Sequence, residues 1–269
     1  MAIKLIALDI DGTLTNQLYA VSEKNRASIK HAEQAGIIVT LATGRGRIAT
    51  RPIWKDLELH GPSIQFGGAM ITDIDTERVI KLYELSPEVI REVLEFSSEI
   101  DARAQIYVDD VVILERMNSF AEGYIGRHHL PFVIDPDIRI NTYHNVPKIL
   151  VFAETGREEA LFQMYRERFT GVAQVSRSNP HFIEINSLGV TKATALEDLS
   201  RMLGVPREEI AAVGDNYLDR EMIEWAGLGV CMENGAEEVK AIADLVIPSC
   251  DEDGVSDFIE QIILQQMQS

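Results

Sequence analysis

The stretch Ile3-Lys4-Leu5-Ile6-Ala7-Leu8-Asp9-Ile10-Asp11-Gly12-Thr13 decides the fold class. Apart from Lys4, the run 3–8 is continuously apolar, the pattern of a parallel strand covered on both faces. It ends in two carboxylates two residues apart, and Gly12 permits the tight turn that follows. In a doubly wound sheet the ligand crevice lies at the carboxyl ends of the strands, so Asp9 and Asp11 are expected to project into it. Two acids in such a place are costly without a cation.

Downstream, Ser22 reads as the N-cap of a helix running to Ala35, Gly36 stops it, and the apolar run 37–42 makes the next strand. The far end repeats this logic. Helices are expected over 191–203 and 219–226, strands over 210–213, 228–232 and 245–247, and an amphipathic helix from Val255. Both ends therefore belong to one α/β core, a doubly wound, mostly parallel sheet. The middle differs: alternating runs at 104–108 and 111–115 flank the turn Asp109-Asp110, and a helical pattern covers 119–129. A strand at 149–153, a helix at 157–169 and strands at 172–176 and 182–185 complete an α+β domain inserted into the core. The expected division is 1–82 with 186–269 for a Rossmann-like core and 83–185 for the insert.

With 269 residues, 46% hydrophobic and 25% charged, the chain suits one large or two moderate globular domains. A net charge of −18 opposes non-specific attraction to nucleic acid or an anionic membrane, so an anionic substrate needs a local positive site. Cys231 and Cys250 have no metal-ligand spacing and read as incidental thiols in a reducing compartment. The opening apolar run is shorter than a signal-peptide core, and no stretch approaches the ~20 apolar residues that span a bilayer. A cytoplasmic protein with neither nucleic-acid nor membrane partner is expected, as a monomer or small homo-oligomer.

Three further groups carry chemistry. Thr43-Gly44-Arg45 follows the second strand and is read as starting a helix, where a hydroxyl and free N–H groups can hold an anion. Lys192 stands at a helix start, a poor place for a cation unless it meets anions. Gly214-Asp215-Asn216 ends a strand, with Asp219 four residues beyond Asp215, which sends more carboxylates to the crevice. The order strand-DxDGT, strand-TGR, helix-Lys, strand-GDN-x-x-D resembles the haloacid dehalogenase superfamily of phosphatases over nearly the whole chain. The long interval between Thr43 and Lys192 matches the cap inserted there in the Cof-type sugar-phosphate phosphatase branch. The segments IEINSLGVTKATAL and GDNYLDREM are similar to that branch in particular.

The resemblance implies Mg²⁺-dependent hydrolysis of a small phosphate monoester, a sugar phosphate or related metabolite, through an aspartyl-phosphate, with the cap selecting the substrate. Asp9 is implied as nucleophile, Asp11 as general acid and then base, and Lys192 as the cation offsetting phosphate and Asp9. Thr43 and Gly44 are implied to bind the phosphoryl group. Asp9, the carbonyl of Asp11 and Asp215 are implied as Mg²⁺ ligands, with Asn216 and Asp219 in support. Leu218 stands where the family has Asn, Gly67 also replaces an Asn, and Ala193 replaces a usual glycine. Arg45, with Arg47 and Arg51, is a candidate for drawing in the anionic substrate. Arg177, Asn179 and His181 are candidate specificity residues. His128 and His129 read as surface residues, and Trp54 and Trp225 as packing. Two alternatives stay open: a phosphosugar mutase of the same superfamily, and a non-catalytic phospho-accepting domain similar to response-regulator receivers, against which Asp11 and the cap both argue.

Overall fold

The computed structural model describes residues 2–268, so Met1 and Ser269, the outer ends of the expected core, lie outside the described residues. The described strands are, in chain order, β1 (Leu5–Leu8), β2 (Ile38–Leu41), β3 (Pro62–Gln65), β4 (Met70–Asp73), β5 (Arg78–Leu82), β6 (Arg103–Val108), β7 (Val111–Leu114), β8 (Phe132–Ile134), β9 (Ile149–Phe152), β10 (Ala173–Asn179), β11 (Phe182–Ser187), β12 (Ile210–Gly214), β13 (Leu228–Met232) and β14 (Leu245–Ile247). Among the described residues they build three sheets.

The first sheet is parallel, in the order β14-β13-β12-β1-β2. Residues of β1 alternate between faces, as the strand period requires. Ile6 and Leu8 join a core cluster with Ile29, Phe258 and Ile259, from helices Glu23–Gln34 and Gly254–Met267. Leu5 and Ala7 pack on the opposite side with Leu196 and Met222, from helices Lys192–Leu203 and Arg220–Trp225. All four β1 residues are fully buried, worth about 1.5–3 kcal/mol for each large side chain. The chain leaves β1 toward β2 and later extends from β12 toward β14, so the order reverses at the β1–β12 pair. Ligands bind in this sheet class where the order reverses, at the carboxyl ends of those strands.

Strands β3, β4 and β5 form an antiparallel meander joined to the core by the bridge between Ala42 and Ile64. The third sheet runs β10-β11-β9-β6-β7-β8, antiparallel except for the β7–β8 pair. Its Asp109-Asp110 turn has positive φ at both residues, as a tight two-residue hairpin requires. On one face Ile149 and Val151 pack with Val93, Leu161 and Tyr165 of helices Pro87–Glu99 and Glu158–Arg168. On the other, Leu150 and Phe152 join Ile125 of helix Ser119–His128 together with Phe66 and Met70 of the core side. This second face roofs the crevice.

Local chemistry moves several expected boundaries. Ser22 does cap its helix, accepting from Asn25 N–H at 3.0 Å. Thr191 and Asp219 stand at N-cap positions rather than inside their helices. Thr43-Gly44-Arg45 does not start a helix: that helix runs Arg47–Asp56 behind Gly46, and the three residues form a bend fixed by Thr43 N–H on the carbonyl of Ile64. Strand β11 crosses the expected 185/186 boundary, because Asn186 and Ser187 still pair with Gln174 and Ala173.

Candidate active site

Parallel pairing aligns Leu8 with Val213, and Asp9 N–H donates to the carbonyl of Val213 at 3.0 Å, which sets Asp9 beside the loop that carries Asp215. Gly12 has φ +81°, and a Cβ there would lie 2.5 Å from Asp215 Oδ2, so the turn after the second carboxylate admits only glycine. Thr13 Oγ1 donates to Asp215 Oδ1 at 3.0 Å. Lys192 is the first residue of its helix. Reciprocal bonds between Thr191 and Thr194 fix that helix end, so the lysine is delivered to a defined place.

Lys192 is buried, and its ammonium reaches Asp9 Oδ1 at 2.6 Å and Asp219 Oδ1 at 2.5 Å. Burial alone would lower its pKa, but the charges of Asp219 and Asp9 outweigh burial and raise it, so the cation is permanent. Asp219 Oδ2 accepts from the backbone N–H groups of Asp215 and Asn216, both at 3.1 Å. Asp219 is thereby occupied on both oxygens. Asp9 differs: its Oδ2 is buried and has no hydrogen-bond partner among the described residues.

One oxygen each from Asp9, Asp215 and Asp219 lies within 4.8 Å of the others. Burial, then the charge of Asp219, pushes the Asp9 carboxyl up to about 7. Burial with Asp219 and Asp9 holds Asp215 well above the carboxylate range. Carboxylates so crowded retain protons unless a cation replaces them. An unpartnered Asp9 oxygen, the Asp215 carboxylate and only oxygen donors fit a hard divalent ion such as Mg²⁺.

Asp11 is half-exposed, and both its oxygens are held by Arg45, Nε to Oδ2 at 2.7 Å and Nη2 to Oδ1 at 2.5 Å. Arg45 is therefore held inside the cavity, largely buried. Arg47 is drawn to Asp110 and Arg51 to Glu77 instead. Thr43 Oγ1 accepts from Arg45 N–H at 3.1 Å, leaving its own hydrogen without an acceptor among the described residues.

These groups line a cavity of about 550 Å³ between the parallel sheet and the roof. Asp9, Asp11, Thr43, Gly44, Arg45, Lys192, Asp215 and Asn216 reach it from below, and Asn179 from above. Arg177 and His181 are not among its lining residues. Arg177 binds Glu159 at 2.7 Å and lies over the rings of Phe162 and Tyr217, and His181 Nδ1 meets the carbonyl of Ala153 at 3.1 Å. His128, expected at the surface, lines the cavity; burial and then the charge of Arg45 lower its pKa to about 4. His129 is exposed, Trp54 and Trp225 pack as expected, and Cys231 and Cys250 are buried free thiols.

Two of the three departures from the family pattern, Gly67 and Leu218, lie side by side. A Cβ on Gly67 would lie 3.7 Å from Asn186 Oδ1 and 3.8 Å from Leu218 Cδ2, so positions 67 and 218 are neighbours. Asn216 Nδ2 is 3.4 Å from Asp215 Oδ1, whereas Tyr217 turns away to Glu238. Sequence reasoning missed Tyr124, Lys148, Phe182 and Glu184, all of which line the roof. For the charged pair a signal existed: Lys148 and Glu184 are single charges in the otherwise apolar runs 148–153 and 182–185, where a charge is rarely buried without a partner.

The model of one family, the haloacid dehalogenase-like hydrolases, matches residues 6–259. A 5-amino-6-(5-phospho-D-ribitylamino)uracil phosphatase of Bacillus subtilis, YitU, is 30% identical, with 96% of each chain covered. Phosphatase YwpJ of the same organism is 31% identical over 97% of this chain and all of its own. A haloacid dehalogenase-like hydrolase from Bacteroides thetaiotaomicron superposes with a TM-score of 0.85 at 30% identity, covering 97% of this chain and 99% of its own. With matching fold, motif order and relatives, the chain belongs to the haloacid dehalogenase-like hydrolases, in the Cof-type branch, and is a phosphatase.

Proposed function

We propose that the chain hydrolyses the phosphate monoester of a small polyhydroxylated metabolite, a sugar phosphate or a related compound, through an aspartyl-phosphate on Asp9. The carrying observation is the Asp9 carboxylate, with one oxygen on the Lys192 ammonium and the other buried and unpartnered beside a cavity. A carboxylate oxygen of Asp9 attacks phosphorus and the ester P–O bond breaks. The departing alkoxide takes a proton from Asp11. Water then attacks the phosphorus of the acyl phosphate, Asp11 accepts its proton, and orthophosphate leaves with the Asp9 carboxylate restored.

Thr43 has a hydroxyl hydrogen to give a phosphoryl oxygen, and Lys192 offsets charge on both reacting groups. Asp9, Asp215 and the main-chain carbonyl of Asp11 are the donors that would hold Mg²⁺, and the ion when bound neutralises charge on the phosphoryl oxygens. Before reaction Arg45 holds both Asp11 oxygens, so a substrate must displace part of that contact before Asp11 can meet the leaving oxygen.

The roof supports a substrate with polar and planar parts. Tyr124, His128 and Phe182 present rings to the cavity, with Ser178 and Asn179 beside them. YitU is named for a ribityl phosphate that carries a uracil ring, a molecule of that kind.

A phosphate-release screen over phosphorylated metabolites, with Mg²⁺ present and after chelation, tests the reading. Asp9→Asn should reduce turnover by about 10³-fold or more while circular dichroism stays native. Near-normal turnover in that variant, deamidation excluded, would sink the nucleophile assignment. An isomeric sugar phosphate in place of orthophosphate would make the enzyme a mutase.

A further inference from the structure

Lys148 and Glu184 sit side by side on the roof, Lys148 just before β9 and Glu184 within β11, where Glu184 pairs with Leu150. Both are buried, at 1% and 3% exposure. The Lys148 ammonium donates to Glu184 Oε2 at 2.9 Å and to the carbonyl of Gly44 at 2.7 Å. Among the described residues Glu184 Oε1 accepts no hydrogen bond, and the side chain it belongs to lines the cavity. It also stands beside the phosphate loop, 3.4 Å from where a Cβ on Gly44 would be.

This arrangement is unfavourable if its only task is to join roof to floor. A buried ion pair recovers its desolvation cost only when the remaining lone pairs are satisfied, and Glu184 Oε1, facing the cavity, has no protein donor among the described residues. A carboxylate next to a phosphate site also repels the substrate unless a cation offsets it, which Lys148 does from 2.9 Å. What Oε1 lacks is a protein donor, and a substrate that fills the cavity and displaces water from it can bring one.

We propose that Glu184, held by Lys148, is a specificity-determining residue that accepts a hydrogen bond from a hydroxyl or N–H group on the alcohol part of the substrate, near the ester. The site thereby selects phosphates of polyols and sugars over phosphates of plain alkyl chains. An alkyl substrate that displaces water from this oxygen leaves the carboxylate unpaired, and leaving such a group unmet costs more than a missing apolar contact. The proposal rests on the phosphatase reading above and adds the chemistry of the leaving alcohol to it.

The test compares ribitol 5-phosphate with pentyl phosphate, which share a five-carbon chain and differ in hydroxyls, by kcat/KM for orthophosphate release. Wild type should prefer the polyol. The double variant Lys148→Met with Glu184→Leu removes both charges and leaves neither buried alone. Its preference ratio should fall about tenfold. The bond from Lys148 to Gly44 is lost for both substrates, so the ratio is insensitive to it. If the double variant does not fold, the isosteric Glu184→Gln decides, with a smaller fall in the same direction, because a neutral acceptor makes the weaker bond. A ratio unchanged within about twofold in a folded variant, or no preference in wild type, overturns the role of Glu184 and leaves the phosphatase reading standing. No orthophosphate from either substrate or from the metabolite screen overturns that reading, and this proposal with it.

Discussion

Asp9, Asp215 and Asp219 are the same residue type within one cluster, and their neighbours give them different work. Asp219 is spent on Lys192 and two backbone N–H groups, whereas Asp9 keeps a free oxygen. Beside them Leu218 supplies no amide, and Asn216 Nδ2 stands 3.4 Å from Asp215 Oδ1 in its place. If Asp215 holds Mg²⁺ as proposed, Asn216→Ala should raise the Mg²⁺ concentration needed for half-maximal phosphate release by about 10-fold, the usual cost of losing a group that orients a metal ligand. Leu218→Asn should lower it modestly; a Mg²⁺ titration of Asn216→Ala identical to wild type would remove Asn216 from this role. At His128 the sign of the pH effect is fixed. With its folded pKa near 4 and its ordinary value 6.5, the folded chain binds fewer protons than the unfolded chain between those values. The contribution of His128 is complete above about 6.5 and is lost as pH falls through about 4. Urea midpoints across that window should fall less steeply for His128→Phe than for wild type, and parallel slopes would contradict a half-buried, neutral imidazole.

At the scale of elements, the helix Lys192–Leu203 both packs Leu196 and Leu199 into the core and places one ammonium at the site. Its amino end is an unfavourable site for a cation, and the interaction is recovered from Asp9 and Asp219. The side-chain cap from Thr191 to Thr194 N–H fixes where the first turn begins. Thr191→Ala should cost about 1 kcal/mol of stability, read as a lower urea midpoint at unchanged slope. It should also lower kcat, because a frayed first turn no longer presents Lys192 squarely to Asp9. Loss of stability with kcat intact would show that the ammonium is held by its two carboxylates alone.

Across the whole molecule, the roof is tied to the parallel-sheet body by few polar contacts. Arg47, at the start of its helix, reaches across to Asp110 in the β6–β7 turn, Nε to Oδ2 at 2.6 Å, with its backbone N–H on Oδ1 at 3.1 Å. Asp110 is buried, and burial raises its pKa although Arg47 opposes this. A double-mutant cycle over Arg47→Met and Asp110→Asn should therefore give a coupling of about 1–3 kcal/mol in the unfolding free energy. Strictly additive effects would mean that the two bodies do not rely on this pair.

The sequence by itself determined the α/β core, most helices and strands to within a residue or two, and the identities of Asp9, Asp11, Thr43, Lys192 and Asp215 as candidates. These were legible because burial on both faces, capping and tight turns each leave a local pattern, and because the chemistry lies in short motifs at strand ends. The three-stranded meander was not legible: its strands are four or five residues long, and β5 is largely exposed, so little alternation marks them. Nor could the sequence say that Arg45 grips Asp11, that His128 enters the cavity while Arg177 and His181 stay out, or that Lys148 and Glu184 meet above Gly44. Those outcomes depend on which face of the six-stranded sheet is laid over the β1–β12 crevice, and that is set by packing between residues far apart in the chain, such as Phe66 against Tyr107 at 5.3 Å. Local sequence fixes each side chain's direction from its own strand or helix, and only the docking of those elements decides what it meets.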